Sequence, residues 1–540
     1  MTVGDSLNTK IAELTGGIGP TKVGLTMARR GMLGVDGAHR SAFQLAALRR
    51  WRFGLAGELR QAAARSPRAV AIIDDEEKVT YAQLLDRSER IAAVLAARGF
   101  GEGDRIGLLA RNHAWAVAFM CATSALGADV VLGNTGLAPQ QFAVVAQQQE
   151  IAFLVHDDEF ANVAAELPEG IGAMSESELR EAVAATPQPP RMTPPARVGR
   201  TIILTSGTTG TPKGAARRTP GGFGPLISII DRIPLHARDR ILIAAPIFHT
   251  WGYAAMQLSI AMRSTMVMQR RYQPESAIEA MVRNDVQAVF AIPVMLQRMV
   301  DQVPDLAEHA RRLTKLRVIA TSGSAYPSGF TTRFMDAVGD VLYNLYGSTE
   351  ASWVAIATPQ DLRRDPDTAG TPPLGTVVRI VDGDGNEVPE GEKGRIFCGN
   401  ELVFDGYTSG ADKDRMDGLV ATGDLGYVKD GLYFVAGRED DMIVSGGENV
   451  YPAEVESLLV QHPAVQEVSV VGVPDPEFGQ RLAAFVVVRE GESLEADEVR
   501  ELVRAERARH CIPREVVFLD ELPRNATGKV LARELRKHFT

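Results

Sequence analysis

Cysteine is scarce in this chain of 540 residues, which contains only Cys121, Cys398 and Cys511. The three are scattered and none belongs to a CxxC pair, so the sequence indicates neither a disulfide framework nor a zinc site. None lies in a motif that suggests a covalent nucleophile. A reducing compartment fits this cysteine usage best.

Long apolar runs are also missing. No stretch approaches the roughly 20 uninterrupted apolar residues that cross a bilayer. The opening residues MTVGDSLNTK lack the basic flank and apolar run of a secretory signal. We therefore expect a soluble, cytoplasmic protein.

Positive charge is not in excess, because 58 Lys and Arg face 68 Asp and Glu and leave a net charge of −10. Nucleic-acid backbones attract basic faces, so the overall charge gives no reason to expect nucleic acid as a partner. Any phosphate chemistry must depend on a local arrangement of residues.

Apolar residues make up 45% of the chain, which is enough for large buried cores and for about three or four domain-sized units. Short apolar runs rich in β-forming residues alternate with Ala- and Leu-rich helical segments. This alternation predicts an α/β fold of layered subdomains with largely parallel strands. The strand candidates are 69–74, 105–111, 152–157, 201–206, 240–246 and 316–323.

Two helix starts can be predicted from the sequence. Thr80 precedes a segment with one apolar stripe that ends near Gly99, and Ser276 precedes AIEAMVRN. Small hydroxyl residues are favoured at the N-cap, where the side chain accepts from a free backbone N–H.

The segment 45–65 mixes Leu, Ala, Trp and Phe with five arginines. It fits a helix lying on an anionic membrane surface. It fits better a helix that packs on its own domain and keeps its arginines in water.

The pattern of predicted secondary structure changes twice towards the C-terminus. Residues 375–401 combine short strands with the turn sequences DGDGN and PEGEKG, which predicts a small antiparallel β subregion. After Gly437-Arg438 a helix–strand–strand–helix–strand pattern predicts a separate α+β domain. We predict an N-terminal extension of unknown role at 1–54, a large domain at 55–437 and a small domain at 438–540.

The strongest chemical signal is TSGTTGTPKG at 205–214, directly after an apolar strand. It offers backbone N–H groups, five hydroxyls and one lysine to a polyphosphate. It is not a Walker A loop, because Pro212 and Gly214 stand where that motif needs Gly and Ser or Thr. An inert surface turn rarely has this composition.

This loop resembles the phosphate loop of the ANL superfamily of adenylate-forming enzymes, and further motifs of that family follow in order. They are PIFHTWG at 246–252, SGSAYP at 322–327, YNLYGSTE at 343–350, ATGD at 421–424, GR at 437–438, SGGENVYPAE at 445–454 and PRNATGKV at 523–530. The resemblance covers nearly the whole chain from about Leu55 onward. It implies that the large domain binds ATP and the acyl group and that the small domain is mobile.

The resemblance also implies roles for individual residues. The implied nucleotide-binding residues are Thr205, Ser206, Gly207, Thr208, Thr209, Gly210, Lys213, Gly323, Ser324, Ala325, Tyr346, Gly347, Asp424 and Arg438. Gly446 and Gly447 belong to the segment that, by the resemblance, helps to build the coenzyme A channel. The implied catalytic residues are Lys529, Thr349, Glu350 and His249, and Glu350 and Thr208 would support Mg²⁺. Asp440 has the position of the hinge between the domains.

The acyl pocket is less well marked in the sequence. Trp251, Tyr253 and Met256 are the candidates beside His249, in a segment without Asp or Glu. An amino-acid-activating domain would carry an acidic residue there, so the tail of the acid should be uncharged. Read alone, His249 and Trp251 would more often be core residues.

Taken together, the resemblance predicts an acyl-CoA synthetase with ATP, Mg²⁺ and coenzyme A. A medium- to long-chain fatty acid is the first choice of substrate and an aryl acid the second. A fatty acyl-AMP ligase serving a carrier protein, a luciferase-like oxygenase and a non-catalytic nucleotide or acyl-CoA binding protein remain as alternatives. Possible partners are a second copy of this chain, in a homodimer, and a membrane surface contacted peripherally through the N-terminal region.

Overall fold

The protein was analysed as a computed structural model. It describes residues 18–33, 38–187, 192–205, 213–216, 219–327, 329–404, 406–408, 412–445, 448–475, 479–507, 509–525 and 528–539.

Two largely parallel sheets dominate the described part of the large domain. The eight-stranded sheet has the order Ala355–Ala357, Leu342–Tyr346, Val318–Ser322, Ala288–Ala291, Arg240–Ile243, Thr265–Met268, Val70–Ile73 and Lys78–Thr80. The six-stranded sheet has the order Gly172–Ser175, Phe153–His156, Arg105–Leu109, Asp129–Leu132, Thr201–Thr205 and Lys213–Ala216. Antiparallel pairs occur only at sheet edges. All six predicted strands are present, with ends shifted by up to three residues.

The α-helices cover these sheets and continue into the small domain. They are Pro20–Arg29, Ala38–Trp51, Leu55–Arg65, Tyr81–Ala97, Ala114–Leu126, Pro139–Gln148, Ala161–Ala165, Glu176–Ala185, Gly224–Arg232, Thr250–Ala261, Pro274–Arg283, Pro293–Gln302, Leu306–Arg312, Phe330–Val338, Pro359–Arg364, Pro452–Leu459, Ala496–Glu506 and Ala532–Arg536. Short 3-10 turns lie at Asp158–Phe160, Glu439–Asp441, Arg509–Cys511 and Lys537–Phe539.

One of the two predicted helix starts is confirmed and the other is wrong. Thr80 caps its helix, because its hydroxyl accepts from the Gln83 N–H while the Gln83 side chain accepts from the Thr80 N–H. The later helix begins at Pro274 and not after Ser276. Proline is well suited to a first helical position because no partner is available there for an N–H.

A third sheet, antiparallel throughout, confirms the predicted β subregion and extends it. Its strands are Val377–Val381, Gly394–Gly399, Arg415–Met416, Leu419–Lys429 and Leu432–Arg438. The last strand leads through the turn Glu439–Asp441 into the small domain. The sheet there contains Ile443–Ser445, Glu448–Val450, Val465–Asp475, Gly479–Val488 and Glu515–Phe518.

The segment 45–65 does not form one helix. Arg52 has a positive φ of 62° and lies in the break between the helices Ala38–Trp51 and Leu55–Arg65. Almost every residue of Leu55–Arg65 is buried, which supports packing on the domain and leaves this stretch no free face for a membrane. Among the described residues no helix is both long and apolar enough to cross a bilayer.

The described parts of the N-terminal extension, residues 18–33 and 38–54, pack against the large domain. The Arg30 guanidinium donates to the carbonyl oxygens of Ile230 and Asp231 at 2.7 and 3.2 Å. The helix Ala38–Trp51 lies along Leu55–Arg65, and the Gln44 amide donates to Gln61 at 2.6 Å. Since Gln44 and Leu48 also line the central cavity, the extension forms part of the cavity wall.

Candidate active site

A cavity of about 2020 Å³ lies where the parallel sheet edge, the antiparallel sheet and the small domain meet. It is lined by residues from most of the predicted motifs. These are Lys213, His249, Thr250, Trp251, Gly323, Ser324, Ala325, Tyr346, Gly347, Thr349, Glu350, Asp424, Arg438 and Lys529. Several motifs lie at carboxyl ends of strands of the eight-stranded sheet, the position where open α/β sheets bind ligands.

The phosphate loop lies between two paired strands. Thr205 pairs with Lys213 in the antiparallel ladder, so the strands fix both ends of the loop. Residues 206–212, with Ser206, Gly207, Thr208, Thr209 and Gly210, lie outside the described residues, as does the side chain of Thr205. Their assignment to nucleotide and Mg²⁺ binding stays a prediction.

Tyr346 and Asp424 join two distant motifs. The Tyr346 hydroxyl donates to Asp424 Oδ2 at 2.6 Å and to Thr422 Oγ1 at 3.3 Å. Gly347 follows Tyr346 where a Cβ would meet the Ser352 carbonyl oxygen at 2.1 Å, so this turn requires glycine. The aromatic ring and the carboxylate are thereby held side by side on the cavity wall.

The carboxyl group of Asp424 lies within a group of positive charges. Burial raises the pKa of Asp424, while the Tyr346 hydroxyl and the charges of Arg438, Lys413 and Lys529 act to lower it. Asp424 and Arg438 face each other across neighbouring strands, and Arg438 Nη1 lies 3.6 Å from Asp424 Oδ1. A carboxylate in this position can accept hydrogen bonds from neighbouring hydroxyl groups of a ligand.

Lys529 reaches the cavity from a turn of the small domain. Its backbone N–H donates to Asn525 Oδ1 at 2.9 Å, and the Asn525 N–H donates to the Lys529 carbonyl. Gly528 has a φ of 78°, and a Cβ there would meet Val294 at 2.3 Å. The turn therefore packs closely on the large domain and brings Lys529 to the cavity wall, where its charge acts on Asp424.

Thr349 and Glu350 lie at the junction of two motifs. The hydroxyls of Thr349 and Thr250 are 2.9 Å apart. Glu350 Oε1 accepts from the Tyr407 hydroxyl at 2.6 Å, and Lys213 Nζ lies 5.4 Å from the centre of the Tyr407 ring. A carboxylate beside hydroxyl groups is an all-oxygen donor set of the kind that Mg²⁺ prefers.

Tyr407 and Lys413 were not predicted from the sequence. Tyr407 joins Lys213 to Glu350, and Lys413 lies close to Asp424. Both belong to the polar segment FDGYTSGADK, whose only local signal is an aromatic residue and a lysine in a Gly- and Asp-rich loop. That signal is common in surface turns, so only the fold identifies these residues.

His249 stands at the N-cap position of the helix Thr250–Ala261, on the cavity wall, and its side chain makes no capping hydrogen bond. Burial lowers the pKa of His249 to about 4, so the ring is neutral at pH 7. Its Nε2 is buried and has no hydrogen-bond partner among the described residues. A buried polar atom without a partner is costly, which favours a ligand group near this nitrogen.

Two of the three acyl-pocket predictions need correction. Helical spacing turns Trp251, Ala254, Leu258 and Ala261 towards the cavity, together with Gln257. Tyr253 and Met256 are not among the residues that line this cavity. Tyr253 lies at the flank of the helix and accepts from the Thr201 hydroxyl, and Met256 is fully buried in the core on the opposite face.

Trp251 does line the cavity, but it is also anchored in the core. Its indole N–H is shared between the carbonyls of Ala291 and Ala320, at 3.1 and 3.3 Å, and its ring lies 4.9 Å from Phe290. The indole therefore has a fixed orientation beside the acyl side of the cavity.

Hinge and channel residues are only partly described. The backbone of Asp440 lies in the turn Glu439–Asp441, between the antiparallel sheet and the small domain. Gly446 and Gly447 lie outside the described residues. The hinge and the coenzyme A channel therefore stay predictions.

The cysteines lack the environment of nucleophiles. All three are buried, and burial raises the pKa of Cys121 and of Cys398 to about 12. A thiol is nucleophilic as a thiolate, so neither side chain is activated.

Family models match most of the chain. The model described as AMP-binding enzyme matches residues 59–408, and that of the AMP-binding enzyme C-terminal domain matches residues 454–529. This chain belongs to the AMP-binding enzyme family, within the ANL superfamily of adenylate-forming enzymes. Its relatives are AMP-forming CoA ligases, so it is an ATP-dependent acid–thiol ligase that uses Mg²⁺ and coenzyme A.

Curated relatives match over nearly their whole length. A feruloyl-CoA synthase of Amycolatopsis sp is 32% identical over 88% of this chain and 96% of its own. A 2-succinylbenzoate–CoA ligase of Geobacillus kaustophilus is 33% identical over 89% and 97%. An indoleacetate–CoA ligase of Aromatoleum aromaticum is 32% identical over 87% and 95%.

Solved structures agree with the fold. The o-succinylbenzoate CoA synthetase of Bacillus subtilis in complex with its acyl-adenylate is 28% identical, with a TM-score of 0.78 over 89% of this chain and 97% of the other. The same enzyme with ATP and magnesium ion gives the same identity and TM-score over 89% and 99%. The large N-terminal domain and smaller C-terminal domain of this chain match these structures.

Proposed function

We propose that this enzyme is an aryl-CoA ligase, which joins an aromatic carboxylic acid to AMP and then transfers the acyl group to coenzyme A. The observation that carries this proposal is that three relatives matched over nearly their full length are named for feruloyl, succinylbenzoate and indoleacetate groups. The fatty acid preferred from the sequence has less support than the aryl acid that stood second.

The acyl side of the cavity agrees with a ring-bearing substrate. Phe53 and Phe223 stand edge to face with ring centres 5.2 Å apart, and Trp251 adds a fixed indole. Flat aromatic surfaces favour a planar ring through stacking and edge contacts. The lining of the cavity also includes the buried polar side chains of Glu58 and Gln61. An alkyl chain could not form hydrogen bonds with them.

The first half-reaction depends on positioning and charge. The acid carboxylate would attack the α-phosphate in line and expel pyrophosphate. Lys529 would hold the carboxylate and the α-phosphate together, and Asp424 would accept from the ribose hydroxyls. Mg²⁺ held by Glu350 would neutralise phosphate charge. The phosphate loop, ending at Lys213, would steady the β- and γ-phosphates.

The second half-reaction needs space for the thiol of coenzyme A. Lys529 now projects into the cavity from a turn packed on Val294. Rotation of residues 438–540 about Asp440 would withdraw this lysine and open the cavity to pantetheine. The division at 437/438 is therefore part of this proposal.

The test measures AMP and pyrophosphate release with benzoate-, phenylacetate- and cinnamate-type acids and with C8–C16 fatty acids, each with and without coenzyme A. We expect coenzyme A-dependent turnover with at least one aryl acid that exceeds turnover with every fatty acid. A preference for the fatty acids would contradict the proposal. Adenylates that coenzyme A cannot discharge would indicate a carrier-protein ligase instead.

A further inference from the structure

A buried polar cluster lies in the wall of the acyl cavity, away from every motif discussed above. Glu58, Gln61 and Gln257 all line the cavity. Glu58 is only 6% exposed and Gln61 only 2%. The surrounding lining is apolar and includes Leu48, Leu226, Ile229, Leu258 and Ala261.

The amide groups of this cluster are already engaged. Gln61 Nε2 donates to the carbonyls of Ile260 and Ala261, both at 3.3 Å, and Gln61 Oε1 accepts from Gln44. Gln257 Nε2 donates to Glu58 Oε1 at 3.3 Å. These bonds hold the Glu58 carboxyl against the helix Thr250–Ala261.

One oxygen of the cluster is left over. Glu58 Oε2 is buried and has no hydrogen-bond partner among the described residues. Burial also raises the pKa of Glu58 to about 8, so the group is largely protonated at pH 7. A buried polar atom without a partner is unfavourable, and in a ligand cavity the missing partner can belong to the ligand.

We infer that Glu58 is a specificity residue that hydrogen-bonds a hydroxyl group at the far end of the aryl acid. This inference rests on the proposed function. A hydroxyl both donates and accepts, so it suits Oε2 whether the carboxyl group carries a proton or not. A carbonyl group only accepts, so it would suit only the protonated state.

Distance along the helix indicates where the hydroxyl must be. Thr250, beside Thr349, marks the reacting end, and Gln257 marks the Glu58 end. Seven residues of α-helix separate them by about 10 Å. In 4-hydroxycinnamate a three-carbon acid carries the hydroxylated ring, so its hydroxyl group reaches further along this distance than that of 4-hydroxybenzoate. We therefore expect 4-hydroxycinnamate to gain most from the hydrogen bond to Glu58.

The experiment compares kcat/KM for 4-hydroxycinnamate and cinnamate, and for 4-hydroxybenzoate and benzoate, in the wild type, Glu58→Leu and Glu58→Gln. In the wild type we expect 4-hydroxycinnamate to exceed cinnamate by about tenfold or more, because one recovered buried hydrogen bond has at least this effect on discrimination. The ratio for the benzoates should be smaller.

The variants separate recognition from folding. Glu58→Leu should lower the cinnamate ratio to about threefold or less while cinnamate itself is still used, and Glu58→Gln should keep most of the preference because it retains a hydrogen-bonding end. Glu89→Gln is the matched control. Glu89 pairs with Arg60 of the helix Leu55–Arg65, and this substitution should leave the ratio unchanged.

The outcomes are distinguishable. Equal use of cinnamate and 4-hydroxycinnamate by the wild type, or an unchanged ratio in Glu58→Leu, overturns the inference and leaves the aryl-CoA ligase intact. Turnover of fatty acids with no aryl acid accepted overturns the proposed function itself. Thermal unfolding and the KM for ATP of each variant show whether the fold is kept.

Discussion

The two ends of the cavity are built differently. At the end assigned to the nucleotide, Tyr346, Asp424, Arg438 and Lys529 each belong to a short contiguous motif. Tyr346 and Arg438 lie against Asp424, and the charge of Lys529 acts on the same carboxyl group. At the acyl end, Glu58 and Leu258 come from helices 200 residues apart, and no local motif marks either. The shared chemistry of activation is concentrated in motifs, whereas substrate choice is spread over the fold.

If this difference is real, a substitution at the nucleotide end should lower the activity with every acid by the same factor. Replacing Lys529 with alanine should lower ATP–pyrophosphate exchange by about 10²- to 10³-fold for all acids, since a preorganised charge at the reacting centre has effects of this size. Lys537→Ala is the control, because Lys537 pairs with Glu534 at the surface of the same domain and should leave exchange unchanged.

Loss of exchange with one acid class only would contradict this prediction. Coenzyme A transfer from a supplied acyl-adenylate should survive in Lys529→Ala, since the lysine is expected to have left the cavity by then.

Damage at the acyl end should be selective. Ala254→Leu narrows the cavity and should reduce kcat/KM for ring-bearing acids by about 10- to 200-fold, the range expected for poor pocket fit. The KM for ATP should stay unchanged. Met256→Ala should instead lower the free energy of unfolding by about 2–5 kcal/mol, because it empties a core position.

The pair tests the corrected view of this helix. If Met256→Ala altered acid preference while Ala254→Leu did not, the assignment of the two helix faces would be wrong. Denaturant unfolding and acid-panel kinetics on both variants are sufficient.

The bond between Tyr346 and Asp424 should have an intermediate effect. Tyr346→Phe removes the hydroxyl that donates to Asp424, and hydrogen bonds to charged groups contribute about 1.5–3 kcal/mol. We expect the KM for ATP to rise by about tenfold or more, with the ranking of acids unchanged. A changed ranking would show that the two ends of the cavity are coupled.

The last prediction concerns the dependence of stability on pH. The pKa of Glu58 is about 8 in the folded protein, above its ordinary value near 4.5. Between these values the unfolded chain loses a proton that the folded chain keeps, so Glu58 lowers stability as pH rises, by at most about 1.4 kcal/mol per pH unit.

Glu58→Gln removes this ionisation. It should flatten the fall in stability between pH 4.5 and 8 relative to the wild type, as measured by denaturant unfolding without substrate. An identical pH dependence for both proteins would refute the assignment of a protonated Glu58.

The sequence predicts the fold well, and it marks residues that the structure brings together at one end of the cavity. The predicted strands 105–111 and 316–323 each contain a short apolar run, because both faces of a parallel sheet are buried. Thr80 is recognisable as a cap because its bonds are local. Tyr346, Asp424 and Lys529 each stand in a short motif that resembles one of the family's motifs. These motifs single the residues out before their contacts are known.

The sequence predicts the acyl end poorly because contact there depends on helix packing. Met256 and Leu258 look alike in sequence, yet one faces the core and the other the cavity. Glu58 lies in a segment interpreted as a packing or membrane helix, and its burial against Gln257 becomes visible only in the folded structure. Tyr407 is likewise recognisable only through its contact with Glu350.

The most direct test of the account is a competition between 4-hydroxycinnamate and palmitate in one reaction with ATP, Mg²⁺ and coenzyme A, with the acyl-CoA products separated and quantified by mass spectrometry. We predict that the hydroxycinnamoyl thioester predominates from the first turnovers. Predominance of palmitoyl-CoA would contradict the assignment of an aryl acid and the role given to Glu58.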